Sequence, residues 1–247
     1  MPGRAENRGP DRPARSHSFR RLAPLVGAGL FCALFVALGV WQLQRLAWKT
    51  DLIDRVEARL AAAPVAAPGP QDWSGLSEEA DEYRRIEVSG TYAGQSLPVL
   101  AVTVLGRGYW VMTPLETADG WSLLVNRGFV ADDRAAEGLP EAPSGEVTVE
   151  GLLRLSQPGG AFLRSNAPEE GRWYSRDTGA MAEVQGLNEV APYFLDMEGP
   201  AEAGAEAPVP GLTVVDFRNT HLTYALTWFV LAILSVVALV LLLRRRG

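Results

Sequence analysis

The chain has 247 residues, a formal net charge of −6, one cysteine and two histidines. A single cysteine excludes an intrachain disulfide, and two histidines with no cysteine cluster exclude a zinc site built from several His and Cys ligands. Six arginines fall in the first 21 residues and three close the chain, which leaves residues 45–218 with 14 basic against 27 acidic side chains; so acidic a middle lacks the basic footprint of nucleic-acid binding.

Residues 1–21 are rich in Arg, Pro, Gly and Ser and read as a disordered tail. The competing reading is an Arg-rich mitochondrial transit peptide. Residues 22–44 hold no charged side chain, enough for one membrane crossing. A cleavable signal peptide has a shorter apolar core and a small-x-small site. Here the run ends in Trp41-Gln42-Leu43-Gln44-Arg45, so an uncleaved anchor is expected. Leu52, Ile53, Val56 and Leu60 then recur at helical spacing, so the helix should run on to about Ala62, where Pro64, Pro68 and Pro70 end it.

The middle turns to short alternating runs. Strands are expected at 86–92, 97–105, 109–115, 121–130, 147–155, 193–197 and 212–217, with a hairpin signal at 116–120. A short helix over 177–187 takes Asp177 as its N-cap and Gly186 near its end. A loop of Pro, Gly, Ala and Glu fills 199–211. Short strands with one helix predict a small barrel or sandwich. Residues 219–243 again lack Asp, Glu, Lys and Arg. As a helix they extend about 37 Å, more than a hydrocarbon core of about 30 Å.

These elements predict an integral membrane α+β protein. A cytoplasmic tail (1–21) leads into a first transmembrane helix (22–44). A β-rich extracytoplasmic domain (45–218) follows, then a second transmembrane helix (219–243) and a basic cytoplasmic tail (244–247). Arginines before the first span and after the second place both termini inside. Trp41, Trp48, Tyr224 and Trp228 suit the outer interfaces, in contact with membrane lipid.

Groups for catalysis are scarce. There is no Gly-rich phosphate loop followed by Lys and Ser/Thr, and no nucleophilic serine beside a histidine. The chain is therefore expected not to be an enzyme. Asn126-Arg127-Gly128 ends an apolar run. It reads either as a turn with a surface ion pair or as an arginine presented to a carboxylate such as a propionate. Trp173-Tyr174 reads as core packing or as a binding platform. His221, Tyr224, Ala225 and Trp228 fall at i, i+3, i+4 and i+7 on one helical face. A histidine in an apolar helix faces protein or a functional group. Two readings stay open: an interfacial imidazole hydrogen-bonded to Tyr or a lipid headgroup, and an axial ligand to haem iron.

Five blocks, in order between the two spans, resemble the surfeit-locus family of cytochrome c oxidase assembly factors. The first is Leu38-Gly39-Val40-Trp41-Gln42-Leu43-Gln44-Arg45-Leu46-Ala47-Trp48-Lys49. The second is Tyr83-Arg84-Arg85 with Gly90 and Tyr92. The third is Gly108-Tyr109-Trp110-Val111-Met112-Thr113-Pro114-Leu115 with Val125-Asn126-Arg127-Gly128-Phe129-Val130. The fourth is Trp173-Tyr174 with Asp177, Met181 and Ala182. The last is Arg218-Asn219-Thr220-His221-Leu222-Thr223-Tyr224-Ala225-Leu226-Thr227-Trp228-Phe229. The family often has Trp then Pro where this chain has Phe129 and Ala131, and a second Asn where it has Thr220.

The resemblance implies a respiratory-chain chaperone that binds haem a and assists its delivery to oxidase subunit I. Haem a synthase is the other partner it suggests. The family's proposed haem ligand matches His221, with Tyr224 and Trp228 packing the ring and Arg45, Arg127 or Arg218 meeting the propionates. The alternative is a haem-independent scaffold for nascent subunit I. Short length and the lack of a signal-like presequence favour a bacterial inner membrane, with the central domain in the periplasm.

Overall fold

A computed structural model describes residues 16–161, 163–199, 207–213 and 217–244, with side chains from Pro24 onward. The chain divides into two units, one made of the residues up to Ile53 together with those from Phe217, and the other of the residues between.

The first unit is built from two helices. α1 runs Ser16–Ala61 and α5 runs His221–Arg244. Both are long and apolar enough to cross a membrane. Leu30 and Leu34 on α1 and Val230 and Ile233 on α5 are exposed, an apolar surface suited to lipid rather than water. α1 begins inside the tail that the sequence reads as disordered; residues 1–15, like 245–247, lie outside the described residues.

The second unit starts with the last turns of α1. Val56 is buried, and Arg59 Nη1 donates to the Glu82 carbonyl at 3.1 Å. Next come β1 (Val65–Ala66) and α2 (Glu78–Asp81). The main strands are β2 (Arg85–Tyr92), β3 (Leu97–Thr103), β4 (Gly106–Thr117) and β5 (Ser122–Ala131). The chain continues through α3 (Asp132–Ala135), β6 (Glu146–Leu155), α4 (Thr178–Gln185) and β7 (Val190–Met197).

Five strands close into a barrel. β2 pairs with β6, β6 with β7, β7 with β5, β5 with β4, and β4 returns to β2. All these pairs are antiparallel except β5 with β7. β4 serves three neighbours because it is long: its first half takes β3, and Leu115, Glu116 and Thr117 take β2. The pairing of β4 with β5 shifts register between Trp110 and Met112, near the end of the β3-paired half, and such irregularities bend a strand. Closure brings backbones close. A Cβ on Gly90 would lie 2.4 Å from the Glu116 carbonyl oxygen, so this seam requires glycine.

Alternation fills the barrel. Ile86, Val88, Leu123, Val125, Val149, Leu153, Tyr193 and Leu195 form the inner core, with Leu115 and Trp121. Leu124 and Phe194 point the other way, into a second cluster with Val99, Met112, Trp173 and Met181 of α4. β5 is therefore buried on both faces, continuously from Ser122 to Val130. α4 has the expected caps: the Asp177 carboxylate accepts from Ala180 N, and Gly186 closes the helix in the left-handed conformation. The expected strand over 212–217 is absent at 212, 213 and 217, and residues 214–216 lie outside the described residues. In that stretch Thr213 instead donates its hydroxyl to Asp196 Oδ2 at 2.7 Å.

Candidate functional site at the helix pair

The helices of the first unit run antiparallel. Lys49 Nζ donates to the Arg218 carbonyl, His221 meets Gln42, and the Phe35 ring stacks on Trp228 at 5.8 Å and 21°. Phe35, Gly39 and Gln42 fall at i, i+4 and i+7 on one face of α1. Gly39 sets the approach of the helices: a Cβ there would lie 2.6 Å from the Phe229 ring. On α5 the buried Ala225 and Ala232 supply the matching small surface.

His221 opens α5 and is half-buried. Its backbone N–H donates to Asn219 Oδ1 at 3.4 Å, and its Nδ1 lies 2.7 Å from Gln42 Oε1. Gln42 is 8% exposed. A buried amide in an apolar helix needs a partner, and His221 provides it. Sequence reasoning quoted Gln42 within the first family block and gave it no role in the site. The available signal was a polar residue on the same α1 face as Phe35 and Gly39.

The other expected site residues divide between the units. Trp228 is half-buried against Phe35, whereas Tyr224 on the same turn is 55% exposed. Arg45 is exposed, with its guanidinium carbon 3.9 Å from the Trp48 ring centroid. Arg218 is exposed as well. These four residues, with His221, belong to the helix-pair unit. Arg127 belongs to the barrel unit and is 1% exposed. Its Nη1 donates to the Pro140 carbonyl at 2.9 Å and its Nη2 to the Glu141 carbonyl at 2.7 Å. The guanidinium is thus buried rather than at the surface.

The barrel unit carries its own polar centre. Asp196 accepts from Asn126 Nδ2, from Arg154 at 3.2 Å, from Arg176 at 3.5 Å and from Thr213. Glu82 accepts from Arg154 Nε at 2.7 Å and from the Leu155 N–H at 2.9 Å. Burial works against the Arg154 charge, but the Glu82 hydrogen bond and Asp196 outweigh it and raise its pKa. Burial lowers the pKa of Arg176, with partial compensation from Asp196. Two arginines and two carboxylates thus balance inside the unit. A separate groove of about 620 Å³ is lined by Arg107, Arg164, Arg172 and Trp173. There Arg107 pairs with Asp132, Arg172 with Glu170, and Arg164 lies over Tyr174. Trp173 itself is core, 2% exposed.

In sequence, a closed barrel is flanked by two helices of membrane-crossing length, and a Gln–His pair joins those helices. The chain belongs to the SURF1 family, whose model matches residues 29–233. It is 34% identical over 220 residues to Surfeit locus protein 1 of Mus musculus, covering 81% of this chain and 69% of that protein. Against the SURF1-like protein of Monosiga brevicollis the identity is 32% over 246 residues, covering 90% of each. Against Surfeit locus protein 1 of Homo sapiens it is 32% over 213 residues, covering 78% of this chain and 68% of that protein.

Proposed function

We propose that the chain is an assembly factor for a haem a-containing cytochrome c oxidase, and that it holds haem a at His221 for delivery to subunit I. Family membership supports the assembly role. The observation that carries the haem reading is the half-buried His221 imidazole, with one ring nitrogen held by Gln42 at the mouth of an apolar helix pair.

The residues suit an amphipathic macrocycle. His221 would supply one axial bond to iron, which a recipient can displace. Trp228 offers an aromatic face, and the apolar helix surfaces suit the haem tail. Arg45 and Arg218 are exposed in the same unit and would meet propionates through charge-assisted hydrogen bonds. The engagement of Arg127 with two carbonyls makes it the weakest of the three choices. The barrel is the surface for subunit I or haem a synthase. Both helices would cross a bacterial inner membrane, with the termini in the cytoplasm, the barrel in the periplasm and lipid around the spans. Chaperoning by binding, rather than catalysis, is the activity in this reading.

A second reading is favoured by the same hydrogen bond. The His221–Gln42 contact ties α1 to α5 whether or not haem binds, as a scaffold for nascent subunit I requires. Purification of wild type and His221→Ala from cells that make haem a separates the two. The haem reading expects haem a with wild type, by visible spectrum and extraction, and its loss from the variant. No haem a with either protein leaves the scaffold. Equal haem in both rejects His221 as the ligand.

A further inference from the structure

We propose that Gln42 is the positioning residue of this site, holding the His221 imidazole in the tautomer with hydrogen on Nδ1 and so presenting Nε2 as the ligand atom. The assignment of Nε2 to a ligand rests on the haem reading; the tautomer does not.

A glutamine Oε1 only accepts hydrogen bonds. At 2.7 Å from Nδ1, it requires the hydrogen on that nitrogen. A neutral imidazole then carries its lone pair on Nε2. Among the described residues, His221 Nε2 has no hydrogen-bond partner. Ligating histidines share this arrangement: the second ring nitrogen donates to an oxygen that fixes ring orientation and raises basicity.

The surroundings hold Gln42 in place. It lies one turn from Gly39, where the Phe229 ring closes on the α1 backbone. At 8% exposure its amide is poorly placed to exchange the imidazole for water. On the other side, the His221 backbone is fixed by Asn219 Oδ1 and Ala225 is buried in the pair. The two helix faces therefore set the ring and its tautomer together.

The test uses the full-length chain in lipid nanodiscs. His17→Asn leaves His221 as the sole histidine. Samples carry ¹⁵N-histidine and are held at about pH 8.5, roughly two units above the ordinary imidazole pKa of about 6.5. Nitrogen NMR reports which ring nitrogen bears the hydrogen, and haemin titration of the same samples reports ligation through the Soret band. Wild type and Gln42→Glu, which keeps the acceptor, should show hydrogen on Nδ1. Gln42→Leu should lose that preference and bind haemin about 10- to 100-fold more weakly, while Gln42→Glu stays near wild type. Hydrogen on Nε2 in wild type, or on Nδ1 in Gln42→Leu, overturns the proposal. So does haemin binding by Gln42→Glu as weak as that of Gln42→Leu. If wild type and variants show the expected tautomers but none binds haemin, the role of Gln42 in fixing the tautomer stands and the haem reading fails.

Discussion

Asp196 takes hydrogen bonds from four side chains, and two of them are arginines. Asp196→Asn keeps the shape and removes the charge, leaving Arg176 buried without a carboxylate. Breaking such a pair from one side costs about 3–5 kcal/mol. Asp132→Asn removes the half-buried partner of the exposed Arg107 and should cost about 1 kcal/mol or less. Urea unfolding of the full chain, followed by tryptophan fluorescence, compares the two. Tyr193 adds a pH dependence. Its hydroxyl donates to the Pro68 carbonyl at 2.8 Å, and burial pushes its pKa well above the ordinary value of 10.0. The folded state prefers the neutral phenol, so its contribution is complete below about pH 10 and is lost as pH rises beyond that. Unfolding midpoints should fall more steeply with alkaline pH in wild type than in Tyr193→Phe; equal slopes would contradict this. At this scale the sequence disclosed His221, because a histidine in an uncharged apolar run is conspicuous. It concealed Gln42, whose partner lies 179 residues away. Arg127 was ambiguous because nothing local indicates that the Pro140 and Glu141 carbonyls will meet it.

Among the elements, the decisive contacts are places where backbone or ring leaves no room for a side chain. Gly90→Ala sets a methyl against the Glu116 carbonyl oxygen at the seam where β2 closes on β4, and backbone there cannot yield without opening the barrel. About 1–3 kcal/mol of destabilisation is expected. Gly75→Ala, with open space around it and no positive φ, should be neutral in the same denaturation. In the helix pair, Gly39→Leu should destabilise by a similar amount. Phe229→Ala should recover part of that loss, because the obstructing atoms belong to a ring. Thermal loss of helical circular dichroism in nanodiscs measures both. The six main strands were legible from alternation, though that over 212–217 was not borne out, and the two long apolar helices from uncharged length, since those signals are local. The parallel pairing of β5 with β7 and the division of β4 among three neighbours were not, since both depend on chain closure.

At the scale of the whole molecule, the chain combines a helix pair that carries the imidazole with an acidic barrel unit whose buried arginines and carboxylates pair with one another. The polar resources of the barrel are spent on itself: Arg127 on carbonyls, and Arg154 and Arg176 on Asp196 and Glu82. The composition confines histidine to the tail and the second apolar run. The assembly role rests on family membership, and the proposed haem role on His221. The most direct measurement is the haem a content of oxidase subunit I in cells lacking this chain and supplied with wild type or His221→Ala at matched levels. The account predicts that wild type restores haem a to subunit I and that His221→Ala leaves it depleted while the variant still accumulates in the membrane. Full haem a with His221→Ala would contradict the carrier mechanism and assign the chain a scaffold role.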